Sequence, residues 1–258
     1  MGRLSRRGML RAAATLIIAG GLAACGDSSD EVATASSSNR AGAPFALDFA
    51  RTWPPLVEDQ AVPVADDLTA ANYYIVLDGS GSMEESKCSG GLTKMDAAKQ
   101  AVARFAGQIP DDANIGLAVF DGIGLSERTP LRAGNRADFE KQVRSIIASG
   151  GTPLSEAVRL GYDALTIQGL RQLGYGEYHL VMITDGEASD GYEPGRMVDA
   201  VLTQSPVVIH TIGFCIGERH SLNQPGRIAY RAADDPAALE RGLAAVLAES
   251  PDFTITDF

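Results

Sequence analysis

The apolar positions of this chain fall into short dense runs, separated by longer stretches in which they recur every third or fourth residue. Residues 73–77, 115–120, 179–184 and 207–213 are the runs. Each is nearly continuous in large apolar side chains, as in strands buried on both faces of a parallel sheet. Between them, Met95, Ala98, Val102 and Phe105 share one helical face, and Phe139, Val143, Ile146 and Ile147 mark a second helix. A third helix opens at Thr152-Pro153, with the proline at a favourable first position. A fourth lies near 194–202, and Asp235-Pro236 caps a last one through Leu239, Leu243, Val246 and Leu247. Residues 129–133 are expected as a short edge strand and 227–231 as a final short strand. Strands alternating with helices define an α/β class, a mainly parallel sheet with helices on both faces. Ligands of such sheets gather outside the carboxyl ends of the strands.

Three loops then stand out. The first reads Asp78-Gly79-Ser80-Gly81-Ser82-Met83, the second Ser149-Gly150-Gly151-Thr152-Pro153-Leu154, the third Thr184-Asp185-Gly186-Glu187. Two of them follow core strands and the other opens a helix, which places all three at one end of the sheet. Asp78 and Asp185 supply two negative charges, while Ser80, Ser82 and Thr152 supply neutral hydroxyl oxygens. That donor set suits a hard divalent cation, which prefers oxygen ligands and keeps part of its water shell. Gly79 and Gly81 permit the tight backbone that aims alternate side chains at one point. Taken singly, the loops are also readable as a flexible turn, a helix cap and a strand-ending turn.

In this order and on these elements, the loops resemble the metal-ion-dependent adhesion site of the von Willebrand factor A family, over residues 72–249. The resemblance implies a doubly wound, Rossmann-like sheet with one antiparallel edge strand. It implies Mg²⁺, with Mn²⁺ or Ca²⁺ as alternatives, held directly by Ser80 and Ser82. Asp78, Thr152 and Asp185 would touch it directly or through water. It also implies a protein partner whose Asp or Glu completes the metal shell. Glu187 lies outside the matched five and reads as a turn residue. The stretch 217–227 is shorter than the family pattern, with His220 to Gly226 standing where relatives have a fuller helix.

The amino-terminal region has a different character. Residues 1–24 combine a basic head containing Arg6-Arg7 with a short apolar run, as in an export signal. The arginine pair resembles a twin-arginine signal; a general secretory signal is the other reading. Leu22-Ala23-Ala24-Cys25 resembles a lipobox, which would place lipid on Cys25 and tether the chain to a membrane. Gly26 after the cysteine favours the outer membrane over the inner, with the protein facing the periplasm or the surface. Residues 25–43 read as a flexible tether, 44–71 as an irregular arm with Trp53 as a packing anchor, 72–249 as the domain, and 250–258 as a tail.

Charge narrows the partners. With 33 acidic and 22 basic residues the formal net charge is -11, and four of the arginines lie within residues 1–24. Such an acidic body disfavours nucleic acid and electrostatic docking on anionic lipid. Cys88 follows the first loop and Cys215 follows a strand end. In an oxidising compartment they pair as a disulfide; otherwise they are separate thiols. His179 and His210 sit in strands as packed groups, and His220 lies in a loop.

The leading reading is a membrane-tethered, metal-dependent protein-binding module and not an enzyme. One alternative is a scaffold that the metal only stabilises; a further one is a metal-dependent hydrolase. No Gly-x-Ser-x-Gly elbow surrounds Ser80 or Ser82, and no phosphate-binding Walker loop is present.

Overall fold

In the computed structural model, residues 52–55, 62–189, 191 and 193–249 are described. The export signal, Cys25, the tether, half of the arm and the tail lie outside the described residues.

Six strands form one sheet in the order β3-β2-β1-β4-β5-β6. They are β1 (Ala71–Asp78), β2 (Asn114–Asp121), β3 (Gly124–Arg132), β4 (Glu177–Thr184), β5 (Val208–Phe214) and β6 (Ala229–Ala233). All neighbours are parallel except β2 and β3, which form an antiparallel hairpin at one edge. The helices are α1 (Lys94–Gln108), α2 (Arg136–Ser145), α3 (Leu154–Arg171), α4 (Gly195–Gln204) and α5 (Pro236–Ala248).

The continuous apolar runs are explained by two cores. On β1, Tyr73, Ile75 and Leu77 face the layer of α1, α2 and α5, while Tyr74 and Val76 face α3 and α4. Alternate residues of one strand therefore feed opposite cores, which is why the middle of β1 is apolar on both faces. The chain leaves β1 towards β2 and β3 on one side, then returns to build β4, β5 and β6 on the other. The crossover direction reverses between β1 and β4, which makes their carboxyl ends the switch-point crevice. Gly161 helps set the approach of α3: a Cβ there would lie 2.4 Å from Leu180 Cδ1 on β4.

Three local expectations need correction. The edge strand runs over Gly124–Arg132, not 129–133. Its first half is polar because one face of an edge strand meets water, so it lacks the apolar run of a central strand. The second helix stops at Ser145: Ile146 is buried beyond its end, and Ile147 is 73% exposed. Pro153 occupies the position before the first residue of α3, not the first helical position, and no side chain caps that helix. By contrast, Asp235 caps α5 as expected, accepting from the Ala238 N–H. Trp53 also packs as expected, edge-on to Tyr178 with centroids 4.6 Å apart and over Gly169 of α3.

Near the amino ends of the strands, His179 Nδ1 and His210 Nε2 lie 3.1 Å apart on neighbouring strands. Glu177 approaches the other nitrogen of His179 at 3.6 Å, and Glu249 that of His210 at 3.4 Å. Tyr73 stacks on the His179 ring. Burial, reinforced by the charge of His179, pushes His210 down to about 4 from an ordinary 6.5. Between those two values the unfolded chain takes up a proton that the folded chain refuses. This group therefore costs nothing above pH 6.5, and stability falls as the pH drops towards 4. The loss is on the order of 3 kcal/mol. His210→Gln is expected to remove it. Urea titrations of both proteins at pH 7 and pH 4.5 check this, and an unchanged acid sensitivity in the variant would sink it.

Candidate metal centre

The three loops converge at the carboxyl ends of β1 and β4. Asp78 is the last residue of β1 and is fully buried. Its Oδ1 accepts the Ser80 N–H at 2.8 Å, and its Oδ2 accepts the Thr184 hydroxyl at 2.6 Å. A 3₁₀ turn over Gly81–Glu84 follows, turning Ser82 back towards the strand ends. Ser80 Oγ and Ser82 Oγ are 3.1 Å apart, and Ser82 Oγ donates to Asp185 Oδ1 at 2.7 Å. Asp185 directly follows β4 and is 4% exposed.

Thr152 completes the ring from the third direction. A Cβ built on Gly186 would lie 3.7 Å from Thr152 Oγ1 and 3.9 Å from Ser82 Oγ, so both hydroxyls border the same small space. The backbone of Thr152 is clamped by Ser189, whose Oγ accepts the Thr152 N–H at 2.6 Å and whose N–H donates to the Thr152 carbonyl at 3.0 Å. Because Thr152 caps no helix, its hydroxyl is available to the ring.

Gly79 is required by crowding rather than by an unusual backbone angle. A Cβ there would meet the Phe120 carbonyl oxygen at 2.9 Å and Asp121 Cβ at 3.0 Å, where the first loop presses against the end of β2. Gly81 is not crowded: its nearest contact would be the Gly150 carbonyl oxygen at 3.7 Å, and its N–H bonds that same oxygen at 3.1 Å. The expectation that glycine is needed in this turn thus holds for Gly79, whereas at Gly81 neither space nor backbone angle requires it.

Electrostatics separate the two carboxylates. Burial pushes Asp78 up to about 6, against the hydrogen bonds from Ser80 and Thr184 that favour its charge. Asp185 is instead paired with Lys94, whose Nζ donates to Asp185 Oδ2 at 2.8 Å. Lys94 is 4% exposed and also reaches Glu85 Oε2 at 2.8 Å and the Ser82 carbonyl at 3.4 Å. Burial acts to lower the lysine, but its bonds to Asp185 and Glu85 outweigh burial and hold it above the ordinary range. Sequence reasoning missed Lys94, Thr184 and Ser189. A Lys at the start of a helix and hydroxyl residues in loops carry no spacing that marks them.

His220 is a structural clamp. It is 7% exposed, its Nε2 donates to the Gly186 carbonyl at 2.9 Å, and its Nδ1 accepts the Leu222 N–H at 3.0 Å. Both ring nitrogens are thus engaged, which fixes the orientation of the ring. Glu187 accepts from the Ser221 hydroxyl at 2.7 Å, a tie to the segment 34 residues on and not a bond within its own turn. Residues 215–228 contain no helix and are held to the third loop by these bonds. Cys88 and Cys215 are joined in a disulfide, with Cα atoms 6.1 Å apart. Both adopt left-handed backbone angles, with φ of 51° and 65°.

The donor set fits a divalent cation. Two buried carboxylates and three hydroxyls border one space, and no Lys or Arg pairs with Asp78 among the described residues. No cluster of three or more His, Cys, Asp or Glu side chains suited to a metal occurs among the described residues. This centre offers only two carboxylates, so hydroxyls would make up the rest. That combination suits a hard cation such as Mg²⁺ and not a soft thiolate-seeking one.

With this geometry in place, comparisons with known proteins place the fold. The family model of the von Willebrand factor type A domain matches residues 73–187, a span holding all five oxygen-bearing residues. The uncharacterized protein YwmC of Bacillus subtilis (strain 168) is 25% identical over 160 residues, covering 56% of this chain and 66% of its own length. The von Willebrand factor type A structure from Catenulispora acidiphila superposes with a TM-score of 0.55 at 21% identity, over 70% of this chain and 42% of that one. The mussel-byssus proximal thread matrix protein 1, solved with a zinc-occupied MIDAS motif, gives 0.55 at 14% identity, over 69% of this chain and 47% of that one. The six-stranded sheet with one antiparallel edge is thus the von Willebrand factor A fold. The family model supports the same assignment over residues 73–187.

Proposed function

We infer that this protein is a metal-dependent protein-binding module whose metal is held by Ser80, Ser82, Asp78, Thr152 and Asp185. The carrying observation is the convergence of oxygen atoms from three loops at the switch point of β1 and β4. Mg²⁺ is the favoured ion. When bound, it would supply an electrophilic centre able to accept a carboxylate oxygen from an Asp or Glu of a protein partner. The zinc-occupied MIDAS motif of the mussel protein supports the reading, since a protein of the same fold holds a cation. At the end of β2, where Asp121 and Ser149 adjoin Gly79 of the first loop, a cavity of about 350 Å³ is lined by Asp121, Gly122, Arg128 and Ser149 together with Ile123 and Ile147. These isoleucines are 80% and 73% exposed, which gives a partner apolar footing next to the metal.

The residues present do not favour catalysis. The carboxylates at the centre are the metal holders themselves, and His220 is spent on the Gly186 carbonyl. The proposed location is the bacterial envelope, anchored by lipid on Cys25. No helix among the described residues is long and apolar enough to cross a membrane.

Calorimetric titration of Mg²⁺ and Mn²⁺ into the purified full chain tests this function. Saturable binding is expected, abolished by Asp185→Asn and weakened by Thr152→Ala with the fold retained. Pull-downs from the native envelope then compare wild type with Thr152→Ala. A binding module loses its partner while folded, whereas a scaffold loses stability and no partner. Absence of metal binding in the wild type would refute the reading.

A further inference from the structure

Lys94 is placed where a metal centre of this composition has no evident need for a cation. It is the first residue of α1, it is 4% exposed, and its ammonium bonds both the first and the third loops. It divides the Asp185 carboxylate: Oδ2 accepts Lys94 at 2.8 Å, while Oδ1 accepts the Ser82 hydroxyl at 2.7 Å. Only one Asp185 oxygen thus remains directed to the hydroxyl ring. Glu85, the other carboxylate on this ammonium, is 60% exposed at its side chain, so water screens most of its charge.

The charges of the centre then change. Asp78 and Asp185 alone would neutralise a divalent ion and leave no net attraction for a further anion. Lys94 cancels one of the two negative charges. We propose that Lys94 sets the electrostatics of this centre: it weakens metal binding and leaves the loaded site with net positive charge, so that an incoming carboxylate is held more strongly. The inference rests on the metal-binding reading and adds to it a residue that divides affinity between metal and partner. Lys94 positions Asp185 and acts through it.

A purely structural lysine would leave this balance untouched, so the readout is the balance itself. Mn²⁺ binding to the full chain is followed by calorimetry, with sodium acetate as the carboxylate probe. In the wild type, acetate is expected to raise the apparent Mn²⁺ affinity. Lys94→Met is expected to tighten Mn²⁺ binding by about tenfold or more and to lose the acetate effect. Lys94→Arg, which keeps the charge, is expected to behave as wild type. Equal or weaker Mn²⁺ binding by a folded Lys94→Met overturns the role of Lys94 alone. A wild-type affinity that does not respond to acetate overturns it without any variant. Failure of the wild type to bind Mn²⁺ at all overturns the metal reading and this inference together.

Discussion

Asp185→Ala is expected to destabilise the metal-free protein by about 3 kcal/mol, because it strands a buried ammonium. The ion pair it removes joins a lysine side chain 4% exposed to a carboxylate with no exposure at all. Removing one partner of a buried pair costs more than the pair contributes, since the remaining charge keeps its desolvation penalty. Lys94 retains Glu85, which places the expected loss at the lower end of the usual range. Urea denaturation in the presence of a chelator measures the effect. The double variant Lys94→Met/Asp185→Leu is expected to recover part of the loss, since no unpaired charge is then left. A loss below about 1 kcal/mol in Asp185→Ala, the level of an exposed pair, would show that water reaches the ammonium. The expected destabilisation also bears on the proposed function, because Asp185→Ala removes a proposed metal ligand and a fold contact together. Asp185→Asn is therefore the better control for metal binding.

Opening the Cys88–Cys215 bridge is expected to cost about 3–5 kcal/mol, with a fall in melting temperature of roughly 10 °C. The two cysteines are 127 residues apart, so the bridge restrains a long loop of the unfolded chain. Chain entropy predicts a large effect for such a loop, provided the folded geometry accepts the link. Cys88 lies between the first loop and α1, where the Lys94 N–H bonds the Glu85 carbonyl at 2.8 Å. Cys215 follows β5, and its N–H bonds the Ala233 carbonyl at 2.8 Å. The bridge therefore ties the segment after the first loop to the far half of the sheet. Calorimetry of the Cys88→Ser/Cys215→Ser variant against wild type, with and without reductant, checks the value. If reductant leaves the wild-type melting temperature unchanged, the bridge does not contribute as stated.

The central strands and the five oxygen-bearing residues of the ring were legible because both are written in local patterns. Four apolar runs became β1, β2, β4 and β5 with ends moved by two residues at most. Asp78-x-Ser80-x-Ser82 and Thr184-Asp185-Gly186 stand at strand ends, as their positions after apolar runs imply. The edge strand was less legible: β3 buries little, so burial leaves no periodic mark on Ser126, Glu127 and Arg128. Thr152 was found for its chemistry, and the alternative reading of it as a helix cap is not realised.

What the sequence by itself determined is the alternation of strands and helices, the loops at one end of the sheet, and the oxygen chemistry offered there. Only the tertiary structure decided which groups serve those loops. Lys94 meets Asp185 across 91 residues, Thr184 meets Asp78 across 106, Ser189 clamps Thr152 across 37, and Cys88 meets Cys215 across 127. The physical reason is the range of the interactions. Strand and helix patterns arise from neighbours along the chain. Pairings of single polar groups depend on which strand ends the doubly wound topology brings together.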